Sequence, residues 1–307
     1  MSPSPYGDMV LICNPTSGRK GVAAVLSELR AALAERGLAH EVVYTQAPGH
    51  ATELARAALT AGCRFIVAVG GDGTIHEVAN GMIEDDRPVA EDAVLGVVAA
   101  GTGSDFIKTF GLPNMPSHAA AHLDGPESFP IDIGKITYCV DGVQSVRYFV
   151  NIAEAGLGAR VVERARRLPR WLGPTVYMFA FWLTVARHRP YRVTVDLVDR
   201  TYEGPMNNLV VANGQFFGGG MKIAPRAAPT DGLLDILIDH ASRKEGLALL
   251  PKIYRGEHVP HPAIEQAKRV KVSVTADAPL LVEADGEVLG FGPATFEVVR
   301  DALRLKV

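Results

Sequence analysis

The run Phe65-Ile66-Val67-Ala68-Val69 ends on Gly70-Gly71-Asp72-Gly73-Thr74, and this junction constrains the fold more than any other stretch. The five apolar residues, β-branched and aromatic, read as a strand buried on both faces. From Thr74 to Ile83 the apolar residues recur at helical spacing. The glycines therefore sit at the carboxyl end of a strand and the amino end of a helix. There, backbone N–H groups and the helix dipole favour a phosphate. An ordinary strand-turn-helix corner accounts for any single glycine; three in four positions around an acid favour a phosphate site. The stretch is not a Walker A loop, because no Gly-Lys-Ser/Thr follows. It is not a Gly-x-Gly-x-x-Gly fingerprint, because His76 stands where the third glycine belongs.

The same pattern recurs on either side. Val10 to Cys13 is a short strand that leaves into Asn14-Pro15-Thr16-Ser17-Gly18-Arg19-Lys20-Gly21. A helix from about Gly21 to Arg36 follows, then a strand Glu41 to Thr45 and a helix His50 to Ala61. Ala93 to Ala99 is a further strand, left through Gly101-Thr102-Gly103-Ser104-Asp105-Phe106. Alternation of this length implies a parallel sheet with helices on both faces, which binds ligands beyond the carboxyl ends of its strands. Two glycine-rich exits in one sheet make a nucleotide crevice the economical explanation.

From Ile131 the texture changes. Strands are expected at Lys135–Val140, Val146–Ile152, Arg192–Val198, Asn208–Ala212, Leu234–Ile238, Arg269–Thr275 and Leu280–Glu283. Turn signals such as Asp141-Gly142 and Asp285-Gly286 separate several of them. The fold class is thus α/β: an N-terminal doubly wound parallel-sheet domain, then a mostly antiparallel β-sandwich domain with helical insertions. Charge divides along the same line, −8 over residues 1–133 and +5 over residues 134–307. One insertion is unusual. Residues 160–192 hold eight arginines and a single acid, Glu163, around the almost wholly apolar helix Pro174–Ala186. A buried core helix is the favoured reading. The alternative is a helix that admits an acyl chain while its arginines dock on anionic lipid.

Three cysteines without metal spacing argue against a disulfide framework. No basic-then-apolar leader opens the sequence, and no apolar run reaches the ~20 residues of a membrane span. A cytoplasmic protein is expected, with peripheral contact at the inner membrane face left open.

Asn-Pro-x-Ser-Gly, Gly-Gly-Asp-Gly-Thr and Gly-Thr-x-x-Asp-Phe together resemble the diacylglycerol kinase catalytic domain, in its bacterial soluble branch. That branch is related to sphingosine kinases and NAD kinases. Two positions depart from the pattern, His76 and Ser104, where the family usually has Asn. The resemblance implies ATP held by Asn14, Pro15, Thr16, Ser17, Gly18, Thr45, Gly70, Gly71, Asp72, Gly73, Thr74 and Thr102. Glu77 is a further candidate, equally readable as an exposed helix carboxylate. Asp72 would act through water and Mg²⁺ near the phosphates. Asp-Gly-x-Leu-Asp at Asp231 to Asp235 implies a structural Mg²⁺ on Asp231 and the Leu233 carbonyl, with the Ala228 carbonyl and Asp235 as further ligands. Asp-Gly-Glu at Asp285 to Glu287 implies the general base, with the choice between Asp285 and Glu287 open. The loop Asn213 to Met221 would line the cleft. The resemblance also implies domains at 1–133, completed by 298–307, and at 134–297.

The expected activity is ATP-dependent phosphorylation of a lipid hydroxyl, diacylglycerol first, with phosphatidylglycerol, a sphingoid base or a terpenoid alcohol as alternatives. An NAD kinase shares the glycine element but lacks the apolar-basic insertion. A catalytically silent nucleotide-binding regulator is the reading from another class. Nucleic acid is not an expected partner, and a homodimer stays open.

Overall fold

A computed structural model describes residues 4–18, 22–101, 104–140, 142–169 and 175–307. The chain divides into two units, Met1–Ile133 with Val299–Val307, and Gly134–Val298.

In the first unit β1 (Met9–Cys13), α1 (Val22–Glu35), β2 (His40–Tyr44), α2 (His50–Thr60), β3 (Phe65–Gly70) and α3 (Asp72–Met82) alternate. A small hairpin of β4 (Ile83–Glu84) and β5 (Arg87–Pro88) leads to β6 (Val94–Ala99). The short helices α4 (Asp105–Phe110) and α5 (Pro116–Leu123) follow, then the start of β7 (Ser128–Val140). The strands lie in the order β2, β1, β3, β6, all parallel, with Arg304 and Leu305 of the final strand beside β6. β3 and β6 are buried at every residue, as strands covered on both faces must be. On one face Leu26, Leu29 and Leu33 of α1 join Val67, Val98 and Leu123 in one core, each leucine contributing about 1.5–3 kcal/mol. On the other, α3 packs on α2 so closely that a Cβ on Gly81 would lie 2.3 Å from the Thr52 carbonyl oxygen. The chain runs from β1 outward to β2, then back to β3 on the far side of β1. The strand order therefore reverses between β1 and β3, where such sheets open a crevice.

In the second unit β8 (Val143–Phe149) and β9 (Ile152–Gly156) precede the helices α6 (Leu157–Arg167) and α7 (Val176–Val185). Then come β10 (Tyr191–Asp196), β11 (Thr201–Met206), β12 (Asn208–Ala212), β13 (Leu234–Asp239), α8 (Arg243–Ile253) and β14 (Ile264–Arg269). β15 (Lys271–Ala276), β16 (Leu281–Ala284), β17 (Glu287–Phe291) and β18 (Ala294–Lys306) complete the chain. One layer is an antiparallel sheet ordered β14-β13-β12-β9-β16-β17. The other includes β11, β10, β15 and the first residues of β18, also antiparallel. Val195, Val272, Val274 and Phe296 of the second layer share a core with Ala153, Leu209, Val211, Ile236 and Val282 of the first. The expected parallel domain and antiparallel sandwich are both present.

Two expectations change and one strand is added. Val146–Ile152 is not one strand: β8 stops at Phe149 and β9 starts at Ile152. Between them the N–H groups of Val150 and Asn151 donate to the Asp285 carboxylate instead of a ladder. The added strand is β11, at the sheet edge beside β10, where Pro205 breaks no ladder. The apolar helix is not in the core. α7 buries Ala180 and Thr184, while Tyr177, Met178, Phe179, Trp182 and Leu183 are exposed. Pro174 and Arg170 lie outside the described residues. Among those residues no helix is long and apolar enough to cross a membrane.

Candidate functional site

At the carboxyl edge of the parallel sheet three strand exits meet. The Asn14 N–H donates to the Val69 carbonyl at 3.2 Å, the Thr45 N–H to Cys13 at 2.9 Å, and the Ala100 N–H to Gly70 at 2.8 Å. The Asn14 Oδ1 folds the loop after β1 by accepting from the Thr16 N–H at 3.0 Å and from the Thr16 hydroxyl at 2.8 Å. The Ser17 N–H closes the turn on the Asn14 carbonyl. Pro15 and Gly18 are exposed beside it. A Cβ on Gly18, whose φ is +78°, would fall 2.0 Å from the Ala100 carbonyl oxygen. The loops after β1, β3 and β6 thus touch at backbone distance.

α3 opens at Gly71 and Asp72. The Gly73 face is open, with no atom within 4 Å of where a Cβ would stand. The Asp72 Oδ1 accepts the Phe106 N–H at 3.0 Å, tying α3 to the first turn of α4. Thr74 is buried with its hydroxyl against Gly70 and, among the described residues, without a hydrogen-bond partner. The Glu77 Oε2 accepts the Ala51 N–H at 3.1 Å and so holds the amino end of α2. Of the two departures from the family pattern, His76 is buried and Ser104 carries a left-handed φ of +52°. Thr102 lies outside the described residues.

In the second unit the turn between β16 and β17 holds Asp285 in a left-handed conformation, φ +47°. Its carboxylate accepts three backbone N–H groups: Val150 at 2.7 Å, and Asn151 and Ile152 at 3.0 Å each. Glu287 makes a two-pronged pair with Arg147 of β8, at 2.6 and 3.0 Å. The Arg166 guanidinium of α6 donates to the Gly286 carbonyl at 2.9 Å. Beneath the turn, Glu283 is buried and accepts the Gly286 N–H at 2.6 Å. Arg147, Arg166 and Glu154, which faces Glu283, are absent from any sequence motif; only strand pairing and the placement of α6 bring them here.

The proposed cation loop also differs in detail from a vacant ligand set. The Ala228 carbonyl accepts from the Thr230 and Asp231 N–H groups, and the Asp231 Oδ1 accepts the Leu233 N–H. The Lys268 ammonium stands between the two aspartates, 2.6 Å from Asp231 and 3.0 Å from Asp235, and reaches the Arg226 carbonyl at 3.0 Å. Burial works against the Lys268 charge, but hydrogen bonds to both aspartates outweigh it and its pKa is raised. Burial raises the Asp235 carboxyl against the pull of the same ammonium. The Lys268 ammonium thus stands between the two carboxylates to which the resemblance assigns Mg²⁺. Lys268→Met should therefore cost about 1–2 kcal/mol in urea unfolding, through two aspartates left facing each other. Unchanged stability in that variant would show that Lys268 does not balance their charge.

Two family models match the chain, the diacylglycerol kinase catalytic domain over residues 8–136 and the YegS C-terminal NAD kinase beta sandwich-like domain over residues 151–307. A curated diacylglycerol kinase of Bacillus subtilis (strain 168) is 31% identical over 93% of this chain and 91% of its own. A protein of Xanthomonas oryzae pv. oryzae (strain MAFF 311018), described as "Probable lipid kinase YegS-like", is 31% identical over 88% of this chain and 87% of its own. The crystal structure of a diacylglycerol kinase from Bacillus anthracis str. Sterne superposes with a TM-score of 0.71 at 19% identity, covering 99% of this chain and 97% of that one. A second solved chain from the same organism gives 0.78 at 22%, over 99% and 98%. At that identity the two structures speak to the fold.

Proposed function

From a chain that belongs to the diacylglycerol kinase family of lipid kinases, we infer transfer of the γ-phosphoryl group of ATP to a lipid hydroxyl, with diacylglycerol the first candidate. The observation that carries this reading is the meeting of three glycine-bearing strand exits at the β1/β3 reversal of a parallel sheet. Side-chain-free backbone at a helix amino end is what a triphosphate needs. The stretches Asn14–Gly18 and Gly70–Gly73 are assigned to the phosphates. Thr74 and Glu77 are assigned to support, since one packs inward and the other holds α2.

The acceptor hydroxyl loses its proton to a carboxylate as its oxygen bonds to the γ-phosphorus, and the bond from that phosphorus to the ADP oxygen breaks. Three backbone N–H groups hold the Asp285 carboxylate, so it is assigned the positioning of the turn, and Glu287 the proton. Asp72 is assigned, through water, to Mg²⁺, which when bound would offset charge on the phosphoryl oxygens.

α7 is assigned to the lipid surface. Its five exposed apolar side chains lie next in sequence to the arginines of α6. Anionic vesicles should sediment more protein than neutral ones, each arginine contributing about 1 kcal/mol, or fivefold. Arg167→Ser should lower only the anionic binding, and Trp182→Ser both. Equal sedimentation on both vesicles would remove the α6 arginines from membrane contact, and unchanged sedimentation of Trp182→Ser would remove α7.

The direct test incubates the protein with γ-labelled ATP and a total lipid extract and identifies the labelled product. A labelled phosphatidic acid fits the first candidate, and another phosphorylated lipid alcohol moves the substrate. ATP binding without any labelled lipid would favour the silent regulator.

A further inference from the structure

Glu154 and Glu283 stand directly opposite each other on the neighbouring antiparallel strands β9 and β16. Their side chains therefore share one face of the sheet, with Cβ atoms about 4.5–5.5 Å apart. Both are buried, at 3% and 0% exposure. The Glu154 Oε1 accepts from the Asn208 amide at 2.6 Å, and the Asn208 Oδ1 accepts the Gly158 N–H at 3.0 Å. A Cβ on Gly158 would lie 2.1 Å from the Glu154 Oε2, so the start of α6 leaves room for this carboxyl only as glycine. The Glu283 Oε2 accepts the Gly286 N–H, and its Oε1 is buried without a hydrogen-bond partner among the described residues.

The charged and titratable groups around Glu283 are Glu154 on β9, Asp285 on its own turn, Arg166 on α6 and Tyr177 on α7. Arg166 gives a hydrogen bond to the Gly286 carbonyl, not to this carboxylate. Two carboxylates this close and this dry cannot both be ionised. Burial pushes Glu154 up to about 7. Burial first, then repulsion from Glu154, pushes Glu283 well above the usual carboxylate range.

We propose that Glu154 and Glu283, once the first of their two protons has left, share the remaining one across the β9–β16 ladder, and that this pair positions the Asp285-Gly286-Glu287 turn through the Gly286 N–H. Glu283 is thus a positioning residue. The turn's role rests on the lipid-kinase reading above; the shared proton does not.

Both folded-state pKa values lie above the unfolded ones, so the native chain binds protons that the unfolded chain releases from about pH 4.3 upward. The pair's contribution to stability is complete below that pH. It falls as pH rises through about 7, where Glu154 ionises, and further as Glu283 loses its own proton.

The test compares the full-length wild type with Glu154→Gln/Glu283→Gln and with Glu283→Ala. Melting temperatures are followed from about pH 5 to about pH 9, together with the infrared carbonyl band of a protonated carboxyl and the kinetics. The wild type should lose melting temperature across this range and show the band near neutrality. The double variant should melt with a flatter pH dependence and lack the band. Glu283→Ala, which removes the acceptor for the Gly286 N–H, should lower kcat by about 10²-fold with KM for ATP nearly unchanged. Equal pH slopes in wild type and double variant, or no such band in the wild type, would overturn the shared proton. Wild-type kcat in Glu283→Ala would overturn the positioning role. If the wild type phosphorylates no lipid yet shows the band and the slope, the kinase reading fails and the proton pair stands.

Discussion

Asp72→Asn lowers kcat by about 10²–10³-fold and leaves the melting temperature within about 2 °C of wild type. The reasoning starts from what the side chain does in the fold. One carboxylate oxygen accepts the Phe106 N–H at 3.0 Å, and this bond ties the first residue of α3 to α4. An asparagine Oδ1 keeps that acceptor, so the two helices stay joined and the glycine exits stay where they are. The negative charge goes. If Asp72 serves the phosphates through a cation, turnover must suffer while packing does not. Asp72→Ala is a poorer probe, because it also removes the acceptor and mixes a structural loss of about 1 kcal/mol with the chemical one. Paired measurements of kcat and thermal unfolding on the asparagine variant decide the matter. Near wild-type turnover, or a large fall in melting temperature beside the lost turnover, would refute the assignment.

The parallel domain was legible because its signals are local. An apolar run that ends on glycine, followed by helical spacing, fixes strand, turn and helix within about twenty residues. Repeating that unit fixes the sheet. The sandwich was harder, since its strands are defined by partners far along the chain. Val150 and Asn151 look like strand in sequence; only the Asp285 carboxylate, more than 130 positions later, takes their N–H groups out of a ladder. α8 escaped notice although Ser242 and Glu245 form a capping box that a scan for helix starts could find. α7 misled for a different reason. Apolar residues all round a helix imply burial or lipid, and composition cannot choose between them. The site shows the same division. Glycine clusters and acids announce themselves, whereas Lys268 between Asp231 and Asp235, Arg147 on Glu287 and Glu154 opposite Glu283 depend on register.

Asp285→Asn and Glu287→Gln, both near-isosteric, should fail in opposite ways. The Asp285 carboxylate receives three backbone N–H groups that have no ladder partner. An asparagine there must turn its NH₂ toward at least one of them, setting donor against donor in a half-buried turn. Its backbone accepts the left-handed φ of +47° as readily as aspartate does, so the loss is one of hydrogen bonding, about 2–4 kcal/mol. Glu287 is held instead by a half-exposed pair with Arg147. A pair so placed contributes about 0–1 kcal/mol, and glutamine still accepts one of the two guanidinium bonds. Glu287→Gln should therefore unfold in urea nearly as wild type does, with kcat reduced about 10²–10⁴-fold by loss of the proton acceptor. Measuring both variants by urea unfolding and by initial rates separates the two carboxylates. A stable but inactive Asp285→Asn beside an active Glu287→Gln would exchange their roles, because the proton would then leave through the acid that the three N–H groups hold.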